Sequence, residues 1–148
     1  TTIKATVVAP GAMMIKEDTS ISDGTISLNV KANTKADNGI VFRVNDNGNT
    51  SYWEDGVSYY FFFISLNGSA YLGRVNNGWT NLGEKVISNY DVSKNYELKV
   101  VMDSDNFKCY IDNTLYLDIN DSTVKGTKCG IRAGSVDASF SLLTIDSK

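Results

Sequence analysis

The 148-residue chain has no histidine, no glutamine, one proline and two cysteines. Without histidine it can build neither a Ser-His-Asp nor a Cys-His nucleophilic site, and no His-ligated zinc site. Cys109 and Cys129 form no CxxC pair, which also removes zinc and thioredoxin-like chemistry. Two cysteines cannot supply a disulfide framework, and none is needed, because a chain of this length buries about two-thirds of its unfolded surface. Fourteen Lys and Arg stand against seventeen Asp and Glu, a net charge of −3. The basic residues are scattered, so there is no electrostatic footprint for nucleic acid or an anionic membrane, and a neutral partner fits better. No apolar run approaches the ~18 residues of a membrane span. The opening TTIKATVV lacks a basic region followed by an apolar one, so it is no signal peptide, and the expectation is a module cut from a longer protein.

What the chain does have is alternation. Residues 3–8 and 12–16 are short strand candidates around Pro10-Gly11. After Asp23-Gly24, Ile26, Leu28 and Val30 face one way and Ser27, Asn29 and Lys31 the other. Further strands are expected at 39–46, 57–65, 69–75, 96–103, 106–111, 114–119, 128–133 and 138–145, with turns such as Asn67-Gly68, Asn77-Gly78 and Asp112-Asn113 between them. About a dozen short strands and no convincing helix predict one all-β domain over residues 1–148, a two-sheet antiparallel sandwich or barrel.

The aromatic residues concentrate between Gly39 and Leu82, which hold both tryptophans, the run Phe61–Phe63, and an arginine inside an apolar strand. Sugar recognition combines flat aromatic faces with planar charged groups that grip hydroxyl pairs, and arginine suits the second role because its donor fork is fixed and always charged. Alternation puts Arg43 with Val41 and Asn45, opposite Ile40, Phe42 and Val44. There it either reaches a ligand or pairs structurally with Asp46, Glu54 or Asp118. Trp53, in the loop SYWEDG, and Trp79, after Asn77-Gly78, are candidate platforms or caps on the core, and Glu54 a candidate hydroxyl acceptor. Phe61 and Phe63 are expected in the core, leaving Tyr60 and Phe62 on the face that would floor a site. Tyr71 and Arg132 are expected to point away from the core. Cys109 and Cys129 both have inward parity, and either a disulfide or two packed thiols fits.

In order, DGTISLNV, GIVFRVND, SYYFFFIS, YLGRVNNGWTNL, YELKVVMDSDNFKCYIDNTLYLDINDS, GTKCGIRA and SFSLLTID resemble the concanavalin A-like (laminin G-like) jelly-roll superfamily. Within it the chain is similar to carbohydrate-binding module family 66, the levan-binding type, and to related modules of secreted bacterial glycoside hydrolases. The resemblance implies a monomeric, secreted, non-catalytic jelly roll that holds a covalently linked catalytic domain on a polysaccharide. It also implies that Arg43, from the G-x-x-F-R strand, and Asp46 point into the sugar site. Jelly-roll modules often carry a structural calcium between an N-terminal loop and the last strand, and Glu17 and Asp146, with Asp18 and Asp23, are candidate oxygen ligands.

Catalysis fits less well. A retaining glycosidase needs two carboxylates about 5 Å apart, and no strand carries an E-x-D-x-E pattern; a lyase on this fold commonly uses His or Tyr with Arg and Gln. A laminin G-like protein-binding domain of an adhesin is the alternative, its aromatic loops then serving as a hot spot.

Overall fold

Along Gly24–Lys31 every second residue is buried, Ile26, Leu28 and Val30 among them, and the residues between are half-exposed. Asn95–Asp103 repeats this with Tyr96, Leu98, Val100 and Met102, and Asn106–Ile111 with Phe107, Cys109 and Ile111. Such segments need cover on one face only, which antiparallel strands provide.

The computed structural model describes residues 2–4, 12–31, 37–46, 56–134 and 139–148. Twelve strands lie among them: β1 (Thr2–Lys4), β2 (Ala12–Ile15), β3 (Gly24–Lys31), β4 (Asn38–Asn45), β5 (Ser58–Ile64), β6 (Ser69–Asn76), β7 (Trp79–Val86), β8 (Asn95–Asp103), β9 (Asn106–Ile111), β10 (Thr114–Asn120), β11 (Lys128–Ala133) and β12 (Ser139–Ser147). They form two six-stranded antiparallel sheets, ordered β1-β12-β3-β8-β9-β10 and β2-β11-β4-β5-β6-β7. The predicted all-β sandwich is the architecture found, a jelly roll. Ile26, Leu28, Val100 and Phe107 of the first sheet meet Ile40, Phe42, Tyr60, Phe62 and Leu72 of the second in one apolar core.

One strand escaped the sequence reading. β7 is an edge strand whose residues are mostly exposed, so no buried alternation marks it; the Asn77-Gly78 hairpin turn before it was the available signal. β1 overlaps the strand expected at 3–8 at residues 3 and 4, and residues 5–8 lie outside the described residues.

The cysteines are free thiols, Cys109 on β9 and Cys129 on β11, both packed in the core. Burial pushes the Cys129 thiol up to about 11 and that of Cys109 higher still, so neither is reactive at neutral pH.

The second sheet is also apolar on its outer face, where Val41, Val44, Val57, Tyr59, Phe61, Phe63 and Val75 form a separate buried cluster. β5 (SYYFFFI) is therefore covered on both sides, with Tyr60 and Phe62 turned to the inter-sheet core and Phe61 and Phe63 to the outside. This reverses the expected facing of the aromatic run. A strand that is aromatic or apolar at six consecutive positions, Tyr59 to Ile64, offers no period from which its facing can be read.

Candidate functional site

Outward-facing aromatics of neighbouring strands meet over the second sheet. Phe63 on β5 pairs in register with Tyr71 on β6, so their side chains share a face, and the rings stack at 5.3 Å and 8°. Phe61, two residues earlier on the same face, stacks on Phe63 at 4.4 Å and 21°. Trp79, the first residue of β7, inclines toward Phe63 at 5.8 Å and 53° and stays 43 % exposed. Its seat is Gly73: a Cβ there would stand 2.0 Å from Trp79 Cη2 and 2.2 Å from Cζ2, so the indole lies where any other residue would put its side chain.

Arg132 closes this surface from β11. Its guanidinium carbon sits 4.7 Å from the centre of the Phe61 ring, a cation–π contact, and Nη1 donates to the Tyr59 hydroxyl at 3.4 Å. Asp37 lies in the field of that arginine. Desolvation raises the Asp37 pKa and the Arg132 charge pulls it back. Asp37, Phe61, Phe63, Ser65, Tyr71, Trp79 and Arg132 together line an open depression of about 390 Å³. The Tyr71 hydroxyl keeps its proton to higher pH because the Glu84 carboxylate on β7 is beside it; the Asn67 side chain acts in the opposite sense. Phe61 and Phe63 are themselves buried, 1 % and 5 % exposed, so the rings open to a ligand are Tyr71 and Trp79; with a guanidinium fork and one carboxylate they can hold an uncharged, hydroxyl-rich ring that packs against them and bonds along its edge.

Of the residues expected in the site, Tyr71, Trp79 and Arg132 are brought together here. Arg43 is not. It adopts φ 50°, and the register of β4 against β5 shifts between Phe42 and Asn45, so a bulge breaks the alternation. The guanidinium turns inward, 6 % exposed, where Nη2 donates to the Ser104 carbonyl at 2.7 Å and to Asp23 at 3.3 Å, with Phe107 5.7 Å away. Its work is to tie the second sheet to the β8–β9 turn of the first, and its carboxylate partner among the described residues is Asp23, not Asp46 or Asp118.

Tyr60 also faces inward. Its hydroxyl donates to the Asp121 carboxylate at 2.5 Å and accepts from the Val124 N–H at 3.1 Å, fastening the segment between β10 and β11. Burial and then the Asp121 hydrogen bond push its pKa up to about 12. Asp46 pairs with Lys128 at 2.9 Å and borders a different depression with Lys125 and Thr127. Trp53 and Glu54 lie outside the described residues.

For the expected calcium ligands, Glu17 binds Lys128 at 2.7 Å. Asp146 is exposed on β12, alternating with Ile145, which packs on the core. Glu17 lies in the turn after β2 and Asp146 on β12, and among the described residues no group of three or more acidic, Cys or His side chains gathers. Sequence reasoning missed Phe61 and Phe63, whose facing it reversed, along with Asp37 and Gly73. Nothing in a lone loop aspartate or a strand glycine distinguishes it before the neighbouring strands are placed.

Protein-family models and curated proteins yield no match to the chain. Solved structures do. Galectin LEC-6 of Caenorhabditis elegans matches with a TM-score of 0.59 at 14 % identity, over 95 % of this chain and 96 % of its own. Sheep galectin-11, in a complex with glycerol, matches with a TM-score of 0.65 at 8 % identity, over 95 % of this chain and all of its own. The carbohydrate binding module CBM66 from Bacillus subtilis matches with a TM-score of 0.81 at 19 % identity, over 99 % of this chain and 92 % of its own. Across nearly its whole length, then, the chain has the jelly-roll fold seen in that module and in the galectins.

Proposed function

We propose that this protein is a non-catalytic carbohydrate-binding module. It would bind a neutral polysaccharide through the outer face of its second sheet and hold a secreted, covalently linked glycoside hydrolase on that polymer. The observation carrying the reading is the pair of accessible rings, Tyr71 and Trp79, backed by the buried Phe61 and Phe63 and bordered by the Arg132 guanidinium. Stacking supplies contact area with the C–H face of a sugar, and the arginine fork supplies direction toward a pair of hydroxyls. A neutral ligand fits because, among the described residues, Arg132 is the one cation lining the depression and Asp37 stands in its field. The likeness in fold to a carbohydrate binding module and to galectins points the same way.

A non-catalytic role is supported by the depression itself. Asp37 is the one carboxylate lining it among the described residues, where a glycosidase needs two facing each other. The reading is tested by affinity electrophoresis over levan, inulin, xylan, β-glucans, galactans and pectins. Retardation by a neutral polymer is expected, weakened about tenfold or more in Arg132→Ala and in Trp79→Ala, the scale of a lost charge-assisted hydrogen bond or ring contact. A folded protein retarded by none of them would replace the sugar with a protein partner.

A further inference from the structure

The register across the second sheet sets out more than a pocket. Arg132 on β11 pairs with Gly39 on β4, Gly39 with Phe63 on β5, Phe63 with Tyr71 on β6, and Tyr71 with Glu84 on the edge strand β7. Register partners in antiparallel strands face the same side, so these five positions form one straight row at right angles to the strands. Four strand spacings of about 4.8 Å give the row a length of about 19 Å.

Its chemistry is graded along that length. A guanidinium with a nearby carboxylate, Arg132 and Asp37, occupies the inner end. Next comes a position without a side chain. Gly39 must be glycine, since a Cβ would stand 2.0 Å from the Phe62 carbonyl oxygen. The stacked rings of Phe63 and Tyr71 follow, with Trp79 alongside. The outer end is a second polar grip, the Tyr71 hydroxyl beside the exposed Glu84 carboxylate. Beyond β7 the sheet has no further strand among the described residues.

We infer that the site binds an internal stretch of several consecutive sugars, laid across the strands from Arg132 to Glu84, and does not depend on a chain end. A trough with a polar grip at each end and an apolar floor between is longer than one sugar ring, and it runs out at a sheet edge over which a polymer can continue. The inference rests on the carbohydrate reading above and assigns Glu84 and the Tyr71 hydroxyl to an outer subsite.

Calorimetric titration with a length series of the retained polymer, from the single sugar to the pentasaccharide, tests it. Affinity is expected to rise about tenfold or more between the single sugar and the longer oligomers, each tenfold being worth about 1.4 kcal/mol, and then to level off. Oligomers carrying a bulky label on their terminal sugar should bind as well as unlabelled ones. Glu84→Gln, an exposed and fold-neutral change, should weaken the pentasaccharide several-fold and leave the disaccharide unchanged. A single terminal sugar that binds as tightly as the pentasaccharide, or loss of binding on end-labelling, overturns the internal mode while the carbohydrate reading stands. Failure of every oligomer and of the polymer overturns both.

Discussion

Gly73→Ala is a one-carbon perturbation aimed at the platform. The added Cβ would lie 2.0 Å from Trp79 Cη2, well inside any van der Waals contact. What yields is the indole, because it is the far end of a side chain already 43 % exposed, whereas the backbone of Gly73 is held in register on both sides by Phe61 and Asn81. A little over half of a tryptophan side chain of about 250 Å² is covered, so complete release would cost up to about 3.5 kcal/mol at about 25 cal/mol per Å². An indole that swings out but keeps its edge on Phe63 should lose about 1–2 kcal/mol. Sugar stacking on the displaced ring should suffer comparably, about tenfold in affinity. Tryptophan emission in a Trp53→Phe background, thermal unfolding and polysaccharide retention read the three consequences. A red-shifted emission, a melting point lower by a few degrees and weakened retention are expected. Unchanged emission and unchanged retention would refute the placement of Trp79 on Gly73.

Other perturbations separate binding from stability. Arg43→Ala removes the tie to Asp23 and Ser104, and urea unfolding should show a loss of about 2–3 kcal/mol, at the low end for a buried pair because Asp23 is 40 % exposed. Polysaccharide retention of that variant, below its melting temperature, should be unchanged; lost retention would return Arg43 to the site. On the alkaline side, folded Tyr60 keeps its proton up to about 12 while the unfolded residue loses it near 10. The native state then binds more protons, and stability should fall as pH rises above 10. Tyr60→Phe should flatten that decline while costing about 1–2 kcal/mol at neutral pH for the lost hydrogen bonds; an unaltered pH slope would contradict the assignment.

How far the sequence could be read depended on where each strand sits. β3, β8 and β9 have one wet face and one dry face, so period-two alternation identified their buried residues directly. The outward facing of Tyr71 and Arg132 was readable for the same reason, since each stands between smaller apolar neighbours that turn to the core. β5 has two dry faces, and with six aromatic or apolar residues in a row from Tyr59 to Ile64 its facing was open until β4 and β6 fixed it. Arg43 was misplaced because a bulge flips parity: Ile40 and Phe42 face the core, but Val44 joins Val41 outside. Nothing local announces that flip, as Arg43 is a non-glycine residue at positive φ held there by contacts with the opposite sheet. The candidate site was thus half legible: the outward facing of Tyr71 and Arg132 could be read, and the inward turn of Arg43 could not.

The central claim is that the outer face of the second sheet holds the sugar. Its most direct test is a nitrogen–proton NMR titration of the isotope-labelled protein with an oligosaccharide of the retained polymer. Shifts confined to Asp37, Phe61, Phe63, Tyr71, Trp79 and the Arg132 side chain, with Arg43, Asp46 and Tyr60 unmoved, are the predicted result. Shifts centred on Arg43 and Asp46 with the aromatic shelf silent would contradict it.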